Sequence, residues 1–250
     1  MVPTIALGSL SLRTWGLVVA GGVLLCWALL LWRAGRLGYS RRGVFAWVLL
    51  ALPVGGLSGR ALATLVNAMM GEAASGGMTV LGSVAGCLAF SALFVPRVLG
   101  TRVAPLLDAA AFTYPLSLGI GRLGCLLNGC CLGRPAPASA PRLATIPAAL
   151  VGHAARGHLW NLPALLGLNA LLALVATEWL YRRRERLGLR DGSVACATLL
   201  VEGTGRFPLE FLRDDPVSGP LGLNPWQALV FVVAVAAGLE LWRRNDARRA

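Results

Sequence analysis

Thr14–Trp32, TWGLVVAGGVLLCWALLLW, contains no charged residue. A continuous apolar run of roughly 20 residues is what an α-helix needs to cross the hydrocarbon core of a bilayer. Working outward, further apolar segments fall at about 44–70, 78–96, 104–120, 159–181, 193–212 and 224–242. Composition agrees: of 250 residues, 56% are hydrophobic and 14% charged, outside the range of soluble domains. These segments predict an all-α polytopic membrane protein with about seven transmembrane helices. The N-terminus, MVPTIALGSLSLRTWG, lacks the charged start and cleavage site of a secretory signal, so the first apolar run reads as a retained helix. No internal repeat or soluble domain interrupts the pattern, and residues 1–250 read as one membrane domain.

The charges fix an expected orientation. All 23 basic residues are arginine, opposed by 11 acids, for a net +12. Such an excess suits nucleic acid when it forms a patch, but these arginines lie between apolar runs, so no nucleic-acid partner is expected. Arg33, Arg36, Arg41 and Arg42 follow the first segment, Arg97 and Arg102 the third, Arg182–Arg184, Arg186 and Arg190 the fifth, and Arg243, Arg244, Arg248 and Arg249 the last. In seven alternating helices these loops share one side, which the positive-inside rule makes cytoplasmic, leaving the N-terminus outside and the C-terminus inside. The other side receives the stretch around Glu72, the turn at Asp214, Asp215 and Pro216, and a Pro- and Ala-rich excursion at about 132–158, expected to carry at most a short interfacial helix.

Within the spans an arginine costs about 2.5–3.5 kcal/mol even on the lenient insertion scale, so each needs a partner or a task. Three stand out: Arg60, Arg122 and Arg206. Glu202, Arg206 and Glu210 lie at successive i, i+4 positions and share one helix face. A ladder of ion pairs joining two helices is one reading. An anion site lined by Arg206 is the other, and it also accounts for Pro208 and the glycines at 203 and 205. Arg60 follows the small-residue stretch GGLSG and reads equally as a structural ion-pair partner or a functional cation. Glu178 and Glu240, near the arginine-rich ends, read as solvated or paired with neighbouring arginines.

The densest polar stretch is Gly121–Pro135, GRLGCLLNGCCLGRP. Its glycines allow sharp turns and close backbone approach, Arg122 and Arg134 offer forked donors that match phosphate, and Asn128 both donates and accepts. A phosphate-bearing substrate accounts for the combination; glycine-mediated helix packing with snorkelling arginines is the simpler alternative. Cys125-x4-Cys130-Cys131 has no nearby histidine and lacks structural zinc spacing, so no metal and no cofactor are expected. Small-residue packing is the preferred reading of these cysteines, with a disulfide from Cys125 to Cys130 or Cys131 as the alternative. His153 and His158 read as interfacial.

At these residues the sequence resembles the prolipoprotein diacylglyceryl transferase family, in divergent form. The family signature G-R-[IL]-G-N-F-[IL]-N-G-E-x-x-G-R is matched by Gly121-Arg122-Leu123-Gly124-Cys125-Leu126-Leu127-Asn128-Gly129-Cys130-Cys131-Leu132-Gly133-Arg134. Its R-F-x-x-E-F-x-R is matched by Arg206-Phe207, Glu210-Phe211 and Arg213. Departures are equally plain. Cys125 and Cys130 replace the family's Asn and Glu, Leu81 replaces a histidine in G-G-M-S-F-H-G-G, Trp15 and Glu202 replace tyrosines, and the P-x-Q-L-Y-E stretch is lost at Pro163–Leu168.

The resemblance implies transfer of the diacylglyceryl group of phosphatidylglycerol to the lipobox cysteine thiol of a prolipoprotein, in the bacterial cytoplasmic (inner) membrane. Phosphatidylglycerol, the lipobox peptide and membrane lipids are the partners it implies. Arg206, Glu210 and Glu202 would then be catalytic, one carboxylate standing in for the missing histidine base. Arg122, Asn128, Gly129, Gly133, Arg134 and Arg60 would bind substrate. The alternatives are a paralogue that binds phospholipid or lipoprotein without transfer or with another acceptor, and a small-anion transporter; the latter usually shows repeat symmetry or paired broken helices.

Overall fold

The computed structural model of the protein describes residues 4–7, 10–69, 78–151, 157–214, 223 and 225–246. Glu72, Gly76, Gly77, His153, Asp215, Pro216, Arg248 and Arg249 lie outside the described residues. The helices are α1 (Thr14–Arg36), α2 (Arg41–Met69), α3 (Val80–Phe94), α4 (Val103–Ala110), α5 (Thr113–Asn128), α6 (Leu162–Arg183), α7 (Ser193–Glu210) and α8 (Pro225–Asp246). A π-helical turn, Val95–Leu99, prolongs α3. Each predicted apolar segment contains one of these helices, and the fourth is broken. Pro115 has no N–H for the carbonyl of Ala111, so the chain kinks at 111–112 between α4 and α5.

Among the described residues five segments are long and apolar enough to cross a membrane: Thr14–Arg36, Arg41–Met69, Leu81–Leu99, Val103–Asn128 and Leu162–Arg183. The sequence reading expected about seven. The remaining two helical segments are α7, which carries Glu202, Arg206 and Glu210, and α8, which ends in Glu240, Arg243 and Arg244. A two-stranded hairpin, β1 (Thr4–Leu7) and β2 (Leu10–Arg13), precedes α1.

The helices pack in a row: α1 on α5, α5 on α6, α6 on α7 and α7 on α8, with the α2–α3 pair attached beside α1. Small residues bring α2 and α3 together, as they do between helices in lipid. Gly55 and Gly59 face Gly82 and Gly86, where an added Cβ would meet Cys87, Ser83, Leu62 and Ser58. Much of the remaining apolar surface points outward. Leu24, Leu57, Leu65, Leu172 and Leu239 are all exposed, as lipid-facing positions would be.

The arginine-rich ends gather at one end of the bundle. Arg33 pairs with Glu178 through both carboxylate oxygens (2.7 and 2.8 Å), donates to the carbonyl of Ala109, and lies over the rings of Phe112 and Tyr181. Arg102 pairs with Asp191 at 2.9 Å, and Arg244 reaches the Asp191 carbonyl at 2.6 Å and Glu240 at 2.8 Å. Glu178 and Glu240 are thus paired with neighbouring arginines, as the sequence suggested. A core of Leu30, Ala34, Val44, Trp47, Val95, Leu106 and Phe112 fills this end. Buried Asp108 accepts from the N–H groups of Gly192 (2.7 Å) and Ala195 (2.9 Å), capping α7 from a neighbouring helix.

The opposite end is closed by residues 129–151 and 157–161. They carry two short 3-10 turns, Arg142–Ala144 and Ala148–Val151, and an antiparallel pair, β3 (Thr145–Pro147) and β4 (His158–Trp160). Prolines at 135, 137, 141 and 147 remove the donors that a continuous helix would need. Gly133 and Arg134 run beside β4, with Gly133 N–H to the Trp160 carbonyl at 2.9 Å, and Arg134 N–H bonds the Leu212 carbonyl just past α7. This strap ties the end of α5 to the end of α7.

Candidate active site

The i, i+4 ladder exists because α7 continues through Pro208 to Glu210. Arg206 Nε donates to Glu210 Oε1 at 2.8 Å, and its terminal nitrogen lies 3.8 Å from Glu202 Oε1. Both carboxylates are buried. Arg213 Nε lies 3.5 Å from Glu210 Oε2, so Glu210 stands between two guanidinium groups. The Tyr114 hydroxyl on α5 donates to Glu202 Oε2 at 3.1 Å. From α6, Asn169 Nδ2 donates to the Glu202 carbonyl at 3.1 Å. Gly205 makes room for it, since a Cβ there would collide with the Asn169 amide. From α8, buried Gln227 donates to the Glu210 carbonyl at 3.4 Å.

Arg122 completes the cluster from α5. It lies six residues before the end of that helix, about 9 Å along the axis. Its Cβ passes over Gly167 of α6, and its guanidinium is within electrostatic range of Arg206, Glu210 and Glu202. Among the described residues Arg122 makes no hydrogen bond and no ion pair. Among the described residues of the cluster three guanidinium groups meet two carboxylates, and Arg122, partly buried, is the one left without an ion pair. In a medium of low dielectric that imbalance favours an anion, and the fork of Arg122 suits a phosphate.

The other predicted residues are distributed unevenly. Gly129 caps α5 in the left-handed region (φ 71°). Asn128 is partly buried just before it, with no side-chain hydrogen bond among the described residues. Gly133 is buried against the Leu212 carbonyl and Trp160, where no side chain fits. Arg134 is exposed on the strap. Arg60 is exposed on α2, and no ion pair or side-chain hydrogen bond among the described residues joins it to the cluster. His158 is exposed on β4. Leu81 lies in the first turn of α3, and Trp15 packs against Gly124 of α5. All six cysteines are free. Cys125 is buried in the last turn of α5, and Cys130 and Cys131 follow the Gly129 cap.

Tyr114, Asn169 and Asp108 escaped the sequence reading. Tyr114 had a signal, since residues 114, 118 and 122 fall on one stripe of α5. Asn169 and Asp108 are polar residues inside apolar segments and required partners for that reason alone.

A bundle with five helical segments of membrane length and a buried arginine–carboxylate cluster at one end defines a polytopic membrane protein with a polar site below the bundle surface. The chain belongs to the prolipoprotein diacylglyceryl transferase family, whose model matches residues 3–242. Similar proteins include the phosphatidylglycerol–prolipoprotein diacylglyceryl transferases of several bacteria. That of Clostridium tetani is 26% identical over 83% of this chain and 83% of its own length. That of Rhodopseudomonas palustris is 28% identical over 96% and 90%. That of Methylibium petroleiphilum is 35% identical over 68% of this chain and 62% of its own.

Proposed function

We propose that the protein transfers the diacylglyceryl group of phosphatidylglycerol to the lipobox cysteine of a prolipoprotein, releasing glycerol phosphate. The observation that carries this reading is Arg122: a partly buried guanidinium without an ion-pair partner among the described residues, in electrostatic range of Arg206. Two like charges held together in an apolar bundle repel until an anion lies between them. A lipid phosphate is such an anion, and its charge grows as it leaves. Fixed guanidinium groups therefore stabilise the transition state more than the bound lipid.

In this reading Arg122 and Arg206 hold the phosphate. Glu202 or Glu210 accepts the proton of the incoming thiol, the sulfur bonds to the glycerol carbon, and the carbon–oxygen bond to phosphate breaks. Tyr114 orients Glu202. Asn128, Gly129, Gly133 and Arg134 form the mouth, and Arg60 offers an outlying contact to lipid head groups. Residues 1–250 act as one domain in the bacterial cytoplasmic membrane. All seven helical segments cross it, with the arginine-rich end in the cytoplasm and the N-terminus outside, so that the cluster opens toward the outer leaflet. A paralogue that grips the same lipid without transferring it is the second reading, favoured by Leu81 at the family's histidine position.

Purified protein is mixed with phosphatidylglycerol and a lipobox peptide, and the peptide is weighed by mass spectrometry. The transferase reading predicts a thioether-linked diacylglyceryl peptide and free glycerol phosphate. Tightly bound phosphatidylglycerol without product would replace it with the binding paralogue.

A further inference from the structure

The mechanism leaves unused a cluster that the fold assembles beside Arg122. The sulfur atoms of Cys125, Cys130 and Cys131 all lie within 4.8 Å of one another, and those of Cys130 and Cys131 are 3.8 Å apart. In sequence these residues lack the spacing of a structural zinc site, and a continuous helix would scatter them. The αL cap at Gly129 folds the chain back, with Cys130 N–H bonding the Cys125 carbonyl at 3.1 Å, so that a helical residue and two loop residues converge. Cys131 is the one non-glycine residue at positive φ (60°) among the described residues. That conformation is unfavourable for an L-residue and persists where the surroundings require it. Here it accompanies delivery of a third sulfur to the other two.

We propose that Cys125, Cys130 and Cys131 form a three-thiolate site for a soft divalent cation of the zinc class, with a fourth position open to the acceptor thiol. Zinc–sulfur bonds of about 2.3 Å in a tetrahedron separate the sulfurs by roughly 3.8 Å, a spacing that Cys130 and Cys131 already have. Bringing Cys125 to the same spacing takes a shift of no more than about 1 Å from the 4.8 Å limit. The carbonyl-bearing C-terminus of α5 favours a cation at this place and offsets repulsion from Arg122. Cys125 is buried and Cys131 exposed, so the cluster has a closed wall and an open side. Three protein ligands with one vacant position is the pattern of a zinc site that binds a reactant.

The chemical consequence rests on the transferase reading. The acceptor thiol loses its proton to a site carboxylate as its sulfur binds the cation. The metal-held thiolate then forms the carbon–sulfur bond while the carbon–oxygen bond breaks and glycerol phosphate leaves. No electron changes hands. The cation would supply the activation that the family's histidine cannot supply where this chain has Leu81.

The test uses the full-length protein in detergent, reduced, stripped with chelator and titrated separately with Zn2+ and Cd2+. The expected result is one ion per chain, a cadmium–thiolate charge-transfer absorption, and protection of three thiols from alkylation. Cys125→Ser, Cys130→Ser and Cys131→Ser should each lose the absorption, while Cys196→Ser keeps it. Circular dichroism of each variant separates ligand loss from unfolding. Two of the three thiols joined as a disulfide in freshly purified protein, or an absorption that survives all three substitutions, overturns the site. In the transfer assay, stripping should lower the rate about tenfold or more and Zn2+ should restore it. Metal binding without any transfer by the loaded protein would defeat the transferase reading and leave the site intact. Transfer untouched by stripping would defeat the metal's role in it.

Discussion

Arg122 and Arg206 differ in what holds them, and their substitutions should differ accordingly. Arg206 lies between two buried carboxylates, so Arg206→Ala leaves Glu202 without its ion-pair partner and Glu210 with Arg213 at 3.5 Å alone. We expect a loss of about 3–5 kcal/mol in stability, read by thermal unfolding in detergent, together with loss of transfer. Arg122 has no ion-pair partner among the described residues, so Arg122→Ala should leave the unfolding midpoint nearly unchanged while transfer falls about 100-fold or more. Equal destabilisation by the two would mean that Arg122 serves packing. Tyr114→Phe removes one hydrogen bond to Glu202, for about 1 kcal/mol in stability. Its effect on transfer, up to about 100-fold through a misplaced carboxylate, is checked by the same mass-spectrometric assay. The ladder at 202, 206 and 210 was legible because helical period alone sets it. The approach of Arg122 was not, because it depends on how α5 and α7 flank α6, which no local spacing encodes.

Helices 7 and 8 mark where apolar counting stops working. α7 carries charges that a lipid-facing helix could not tolerate, and its neighbours on both sides supply polar contacts: Tyr114 from α5 donates to the Glu202 carboxylate, while Asn169 from α6 and Gln227 from α8 donate to the backbone carbonyls of Glu202 and Glu210. Its start is held by Asp108, whose carboxylate takes two backbone donors. Asp108→Ala should therefore cost about 1–2 kcal/mol in unfolding measurements and leave transfer per folded molecule intact, since the cap lies at the end of α7 away from Arg206. Loss of transfer without loss of stability would give Asp108 a chemical role that the geometry does not. The strap formed by residues 129–151 and 157–161 was legible only as an excursion. Its prolines excluded a long helix, but pairing between residues 133–136 and β4 joins chain separated by the 3-10 turns.

For the molecule as a whole, the two ends of the bundle are chemically opposite. One collects the arginine-rich helix ends; the other holds the arginine–carboxylate cluster, the strap and Cys125, Cys130 and Cys131. This polarity predicts that reporter fusions at residue 250 are cytoplasmic and that fusions within 137–141 are external, and the reverse pattern would invert the proposed orientation. The class of fold was legible in apolar length and arginine placement. The meeting of α5, α6 and α7 that makes a site was legible only through the resemblance to a family. The central claim is that Arg122 and Arg206 grip one phosphate, and a double-mutant cycle in the transfer assay tests it most directly. Two groups acting on one phosphate predict that Arg122→Ala/Arg206→Ala is little worse than the poorer single variant. Losses that multiply, or a single variant that transfers at the wild-type rate, would contradict it.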